Sequence, residues 1–300
     1  MEDFHSLSSQ LLCQETESCL DEEELDEETF VHPEDDEYVQ ILLNKEITVG
    51  FESPYSQIPI NSWINCARSD AITWIFKTRA SFGLQFQTAY LSVIYFDRFI
   101  SRGMIDGQKF WAIRLLSVAC LSLAAKMEEC TAPTLPEFTK EFESRVIQRM
   151  ELLVLNTLKW RMGLVTPFAY IHYFTVKFSK DQSHPKNVIS KTAQLILAVI
   201  GDVNLMGRRP SVIAGAATLV ALDSKLTKQA LEQKINDLFF SEFIEIDDVF
   251  HCYNQMQELD ANRITTPNSS ITSAIRPKRN KGLLYHYDQN QGVFDEKPQG

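Results

Sequence analysis

The chain has 300 residues, 44% hydrophobic and 11% aromatic, enough for one large or two small domains with substantial cores. Its net charge of −11 belongs to one end: residues 1–44 hold 15 acidic side chains and no Lys or Arg, so the other 256 residues set 25 acidic against 29 basic groups, a balance of +4. A body so near neutral excludes an evident nucleic-acid binder, and Cys13, Cys19, Cys66, Cys120, Cys130 and Cys252, with no CxxC spacing, imply reduced thiols rather than a disulfide framework.

Residues 1–35 have too little apolar surface to offset the entropy of ordering and are expected to be a solvated acidic tail. The start, Met-Glu-Asp, lacks a basic and then apolar leader, no stretch is read as a membrane span, and the expectation is a soluble intracellular protein. Tyr38, Ile41 and Leu42 suggest a short amphipathic turn or two, followed by an extended link marked by Pro54 and Pro59.

Apolar periodicity then predicts helices over Ser62 to Ser81, Phe86 to Ser101 and Asp106 to Glu128. From Ala112 to Ala125 every residue but Arg114 is apolar or small, the pattern of a helix enclosed by other helices. Thr134 with Glu137 forms a capping box for a short helix, and Ser144 caps the next, which ends near Leu158. Five helices result.

The pattern restarts after Trp160. Thr166 and Pro167 open one helix, Pro185 opens Val188 to Val203, Pro210 opens Ser211 to Leu222, and Thr227 and Asp247 begin two more. The run Ser211 to Leu219 echoes Ser117 to Ala125 at a distance of 94 residues. The predicted fold is all-α, two tandem five-helix repeats without a sheet, with boundaries at 36–162 and 163–262 and a polar tail over 263–300.

Arg68 in Ala-Arg-Ser-Asp-Ala, Asp97 in Tyr-Phe-Asp-Arg-Phe, Leu115, Lys126 in Ala-Ala-Lys-Met-Glu-Glu and Glu151 in Arg-Met-Glu match, in order and context, the five signature positions of the cyclin box. The run at 210–214 looks like the matching helix of a second cyclin fold. With Leu11, Cys13 and Glu15 near the start, the chain resembles the plant D-type cyclins. The resemblance implies that Lys126 and Glu151, with Leu115, belong to the site that grips a cyclin-dependent kinase. It also implies a noncatalytic activator of the G1/S transition.

The residues alone allow a plainer reading of Lys126, as a C-terminal charge complementing the helix dipole with Glu128 and Glu129 as solvated turn residues. Arg68 and Asp97, charged within apolar helices, read as a structural ion pair holding the first two helices of the box together. Leu115 reads as core.

Leu11, Cys13 and Glu15 alternate, so an extended segment puts all three on one face. The resemblance implies that this LxCxE pattern docks a retinoblastoma-related protein, with the acidic run behind it steering toward a basic rim. Trp74 matches a member of the apolar patch with which many cyclins dock substrates and kinase inhibitors, and core is the plainer reading of it. Ala67 and Asp70 depart from that patch, and a carboxylate there weakens apolar docking. An adaptor that bridges the retinoblastoma-related protein to another partner has no need of Lys126 and Glu151 together.

Thr266-Pro267 is a minimal proline-directed phosphorylation site, and Arg276 to Lys281 a candidate nuclear address. The expected location is therefore the nucleus, with cytoplasm. No GxSxG, HExxH, Walker A or GxGxxG motif is present, and the six His residues have no ligand spacing, so neither a metal nor another cofactor is expected.

Overall fold

The computed structural model describes residues 33–48, 62–103, 105, 109–179, 185–238 and 241–265. Leu11, Cys13, Glu15, Thr266 and the basic cluster at 276–281 lie outside the described residues. The described residues form helices α1 (Pro33–Thr48), α2 (Ser62–Phe82), α3 (Phe86–Ile100), α4 (Phe110–Glu128), α5 (Leu135–Phe138), α6 (Ser144–Thr157), α7 (Ile171–Phe178), α8 (Pro185–Val199), α9 (Val203–Met206), α10 (Pro210–Leu222), α11 (Lys228–Asn236) and α12 (Ile246–Thr265). Among the described residues there is no strand.

α4 is the central rod of the first repeat, packed against α2, α3 and α6, and α10 is the rod of the second, packed against α7, α8 and α12. The absence of a stripe on α4 has a direct cause. Leu115, Val118, Leu121 and Ala125 enter one core, while Ile113, Leu116, Ala119, Cys120, Leu123 and Ala124 enter another. The first core runs on through Val212, Ile213 and Ala216 of α10, so the two repeats share it.

Contrary to the sequence reading, α4 at 19 residues is long and apolar enough to cross a membrane by length and composition. Thirteen of those residues, Ala112 to Ala125 without Arg114, are buried against neighbouring helices. Protein, rather than lipid, covers this helix.

Several boundaries have local causes. α2 ends at Gly83, whose φ of +68° suits a residue without Cβ, and Leu84 N–H returns 3.1 Å to the Arg79 carbonyl. The Glu137 carboxylate accepts from Thr134 N–H at 2.5 Å, completing the predicted box at α5. Thr227 caps α11 by accepting from Ala230 N–H at 3.3 Å.

Other expectations need correcting. Ser144 is the first residue of α6 rather than its cap; Glu143 is extended, and its carbonyl receives Val146 and Ile147 N–H. α4 begins at Phe110 rather than Asp106. The segment expected to run from Val188 to Val203 stops at Val199, and Asp202 opens α9 by accepting Asn204 N–H at 2.9 Å. α1 is a full helix of 16 residues, and it buries Val39, Leu42, Leu43 and Glu46 while Tyr38 and Ile41 face solvent.

Candidate functional site

Lys126 stands in the last turn of α4, where the buried run ends, and Glu151 lies on the otherwise apolar inner face of α6 beside Ile147 and Val154. Their side chains meet: Lys126 Nζ donates to Glu151 Oε1 at 2.7 Å. Exposure divides the pair unequally, 46% for the Lys side chain and 9% for the Glu. A lysine ammonium has three donors, so one engaged with Glu151 leaves others directed to the surface. The buried carboxylate orients the lysine, and the lysine is what an approaching molecule meets.

The rest of this corner is fastened internally. Glu129 Oε1 accepts Gln85 N–H at 2.7 Å and the Thr88 hydroxyl at 2.5 Å, closing the open first turn of α3. Glu128 accepts from the Gln87 amide, and burial pushes its carboxyl pKa up. Glu129 thus caps α3 and Glu128 ties α4 to the Gln87 side chain, so the reading of both as solvated turn residues is corrected.

Arg68 and Asp97 form a two-pronged pair between α2 and α3, Nε to Oδ1 at 2.9 Å and Nη2 to Oδ2 at 3.1 Å. Both side chains are buried, at 6% and 1% exposure, so the pair is out of reach of a partner and fixes the two helices against each other. Leu115 is also buried, in the core shared by the repeats. Its placement offers no direct contact to another protein, which corrects its grouping with the binding residues.

Trp74 is half-buried against that core, and the Arg114 guanidinium lies 5.3 Å from its ring centre. Arg114 in turn pairs with Glu141 at 3.5 Å. Asp70 is exposed on the same helix and Ala67 is buried, so charge surrounds the outer edge of Trp74.

Trp160 was not singled out from the sequence. It follows α6 with a φ of +58° after Lys159 at +53°, two successive left-handed residues that cost on the order of 1–3 kcal/mol each. Trp160 N–H reaches the Leu155 carbonyl at 2.9 Å, and the indole N–H reaches Asn156 Oδ1 at 3.2 Å. The ring is held in place and still 62% exposed. Met127 beside Lys126 and Leu152 beside Glu151 are exposed as well, giving the same two elements apolar surface around their charges. A tryptophan that ends a helical pattern looks like any core residue in sequence; the backbone after it is what turns it outward.

Residues 39–163 match the family described as cyclin, N-terminal domain, and residues 165–283 the family described as cyclin, C-terminal domain. The chain belongs to the cyclin family, with the D-type cyclins. It is 36% identical to Cyclin-D5-1 of Arabidopsis thaliana over 290 residues, covering 89% of this chain and 88% of that one. To Cyclin-D5-1 of Oryza sativa subsp. japonica it is 40% identical over 218 residues, covering 70% of this chain and 58% of the relative.

Among solved structures, a viral cyclin from herpesvirus saimiri shares the fold at a TM-score of 0.57 and 18% identity, covering 74% of this cyclin and 97% of the viral chain. A chain of the CAK complex from Chaetomium thermophilum bound to ATP-gamma-S does so at 0.53 and 11%, covering 82% and 90%. Cyclins are regulatory subunits of cyclin-dependent kinases, acting in the cell cycle without catalysis of their own.

Proposed function

We propose that this cyclin binds and activates a cyclin-dependent serine/threonine kinase through the corner where α4 and α6 meet, and recruits a retinoblastoma-related protein as substrate to promote the G1/S transition in the nucleus. The observation that carries the reading is the Lys126–Glu151 pair, an exposed lysine aimed by a buried carboxylate; Met127 next to Lys126 on α4, Leu152 next to Glu151 on α6 and Trp160 just after α6 are exposed as well. Charged groups of this kind satisfy the backbone ends of a partner helix or loop, and exposed aromatic and aliphatic side chains supply the apolar area around them.

Seated there, the kinase's mobile helix is held inward, which completes the Lys-Glu pair that phosphoryl transfer needs in the kinase's own site. Moving a kinase from about 1% to about 99% active takes about 5.5 kcal/mol of differential binding. Two charged side chains do not supply that alone, so the apolar residues around them share it.

Leu11, Cys13 and Glu15 supply the tail's docking strand for the retinoblastoma-related protein. The charges at Asp70, Arg114 and Glu141 around Trp74 weaken apolar motif docking on α2, leaving substrate choice to the tail and reducing capture by kinase inhibitors that use such motifs.

Pull-down separates the two contacts. Lys126→Ala with Glu151→Ala is expected to lose the kinase and keep the retinoblastoma-related protein, and Cys13→Ala with Glu15→Ala the reverse. Retention of the kinase by the first variant at wild-type affinity removes the proposed site. Retention of the retinoblastoma-related protein by the second removes the tail motif.

A further inference from the structure

Glu46 is a carboxylate in the buried stripe of α1, one helical repeat beyond Val39 and one turn beyond Leu42 and Leu43, where a leucine would continue the apolar face. It meets the other repeat instead. Its Oε1 accepts Ser211 N–H at 2.9 Å and its Oε2 accepts the Ser211 hydroxyl at 2.8 Å. Ser211 is in the first turn of α10, where N–H groups lack helical partners and the helix dipole favours an anion. The Tyr170 hydroxyl is buried nearby without hydrogen-bond geometry to a partner among the described residues.

The helix is also tied at its other end, where Asp36 accepts from the Tyr173 hydroxyl and from Lys177 Nζ at 3.1 Å, both on α7. Val39, Leu42 and Leu43 of the same helix enter the core that also holds Leu121 and Ala125 of α4 and Val212 and Ile213 of α10, and a side chain at Gly163, in the link between the repeats, would begin 3.7 Å from the Lys45 ammonium. α1 therefore packs in the one core that reaches from α10 to the last turn of α4, the turn that carries Lys126.

We propose that Glu46 is a positioning residue: by fixing α1 to the first turn of α10 it lets the second repeat set the geometry of the α4 corner in the first. An apolar side chain at 46 buries as well but leaves this end of α1 loosely held, with directional bonds only at Asp36, because apolar contact is not directional, whereas two hydrogen bonds to one serine fix both rotation and translation there. A serine in the second repeat thus influences binding at a surface it does not touch. The binding part of this inference rests on the kinase reading above; the part concerning α1 does not.

The test uses the full chain with Glu46→Leu, Glu46→Gln and Ser211→Ala. Amide hydrogen exchange over residues 36–48 is compared with that of α4, and affinity for the cyclin-dependent kinase is measured alongside. Glu46→Leu is expected to speed α1 exchange about tenfold or more with α4 unchanged, and to weaken kinase binding about tenfold. Glu46→Gln keeps an acceptor for Ser211 N–H and a donor for its hydroxyl, so it is expected to restore both. Ser211→Ala, which loses one of the two bonds, should lie between.

Wild-type α1 exchange in Glu46→Leu overturns the proposal, as does a Glu46→Gln protein no better than Glu46→Leu. Faster α1 exchange with unchanged kinase affinity overturns the coupling to the α4 corner. If Glu46→Leu does not fold, Ser211→Ala decides: faster exchange in α1 from a change on α10 supports the strap, and none refutes it. If the wild-type chain fails to bind the kinase at all, the functional reading falls while the exchange comparison still decides whether Glu46 anchors α1.

Discussion

Asp97 and Glu151 each bring a carboxylate into a helical bundle, but their partners differ in exposure. Arg68 is buried with Asp97, whereas nearly half of the Lys126 side chain is in water. Removing one member of a buried pair strands the other charge, so Asp97→Ala is expected to cost about 3–5 kcal/mol in urea unfolding. Lys126→Ala leaves the mostly buried Glu151 carboxylate without this hydrogen bond at an edge that water reaches, so it should cost less, about 1–3 kcal/mol, and its melting curve should fall between wild type and Asp97→Ala. Equal losses in the two variants would contradict this division. The four charges stand out in the sequence because each interrupts apolar helical spacing. Glu46 and Trp160 do not stand out: one lies in a helix whose buried face is set by a partner 165 residues away, and the other owes its exposure to two left-handed residues that no local motif announces.

α4 and α1 show how an element's environment sets its energetics. Leu116 is fully buried between α4 and its neighbours, and Leu116→Ala is expected to lose about 2–5 kcal/mol, read from the denaturation midpoint. In α1, burial raises the Glu46 pKa, opposed by the nearby Tyr170 hydroxyl, by the hydrogen bonds from Ser211 and by the charge of Arg209. A carboxyl raised on folding contributes stability that is fully present below the unfolded value near 4.3 and is lost as pH rises through the folded value. Glu46→Gln removes that titration. Its melting temperature relative to wild type is therefore expected to be higher at pH 7 than at pH 4, and an equal difference at both pH values would show that burial leaves this group's proton affinity unchanged. Elements with their own start signals, such as α5 and α11, were readable from sequence. The face of α1 was not, because Tyr38 and Ile41 have the same spacing as a buried pair and only the second repeat decides which side is covered.

Over the whole molecule, the echo between Ser117 and Ser211 foretold two central rods, and both rods are where that pattern placed them. What the echo did not reveal is that the repeats share one core and that α1 meets both, since repeat spacing describes each bundle alone. A partner seated on the α4 corner therefore meets a surface whose shape depends on the second repeat as well as the first. The proposed role of this corner is to turn a kinase on. The most direct measurement is the rate at which a plant cyclin-dependent kinase phosphorylates a retinoblastoma-related fragment, alone, with the wild-type cyclin, and with the Lys126→Ala, Glu151→Ala variant shown by circular dichroism to remain helical. A large increase is expected with wild type and its loss with the folded variant; equal rates with both cyclins, or no increase with either, would contradict a kinase-activating role for this corner.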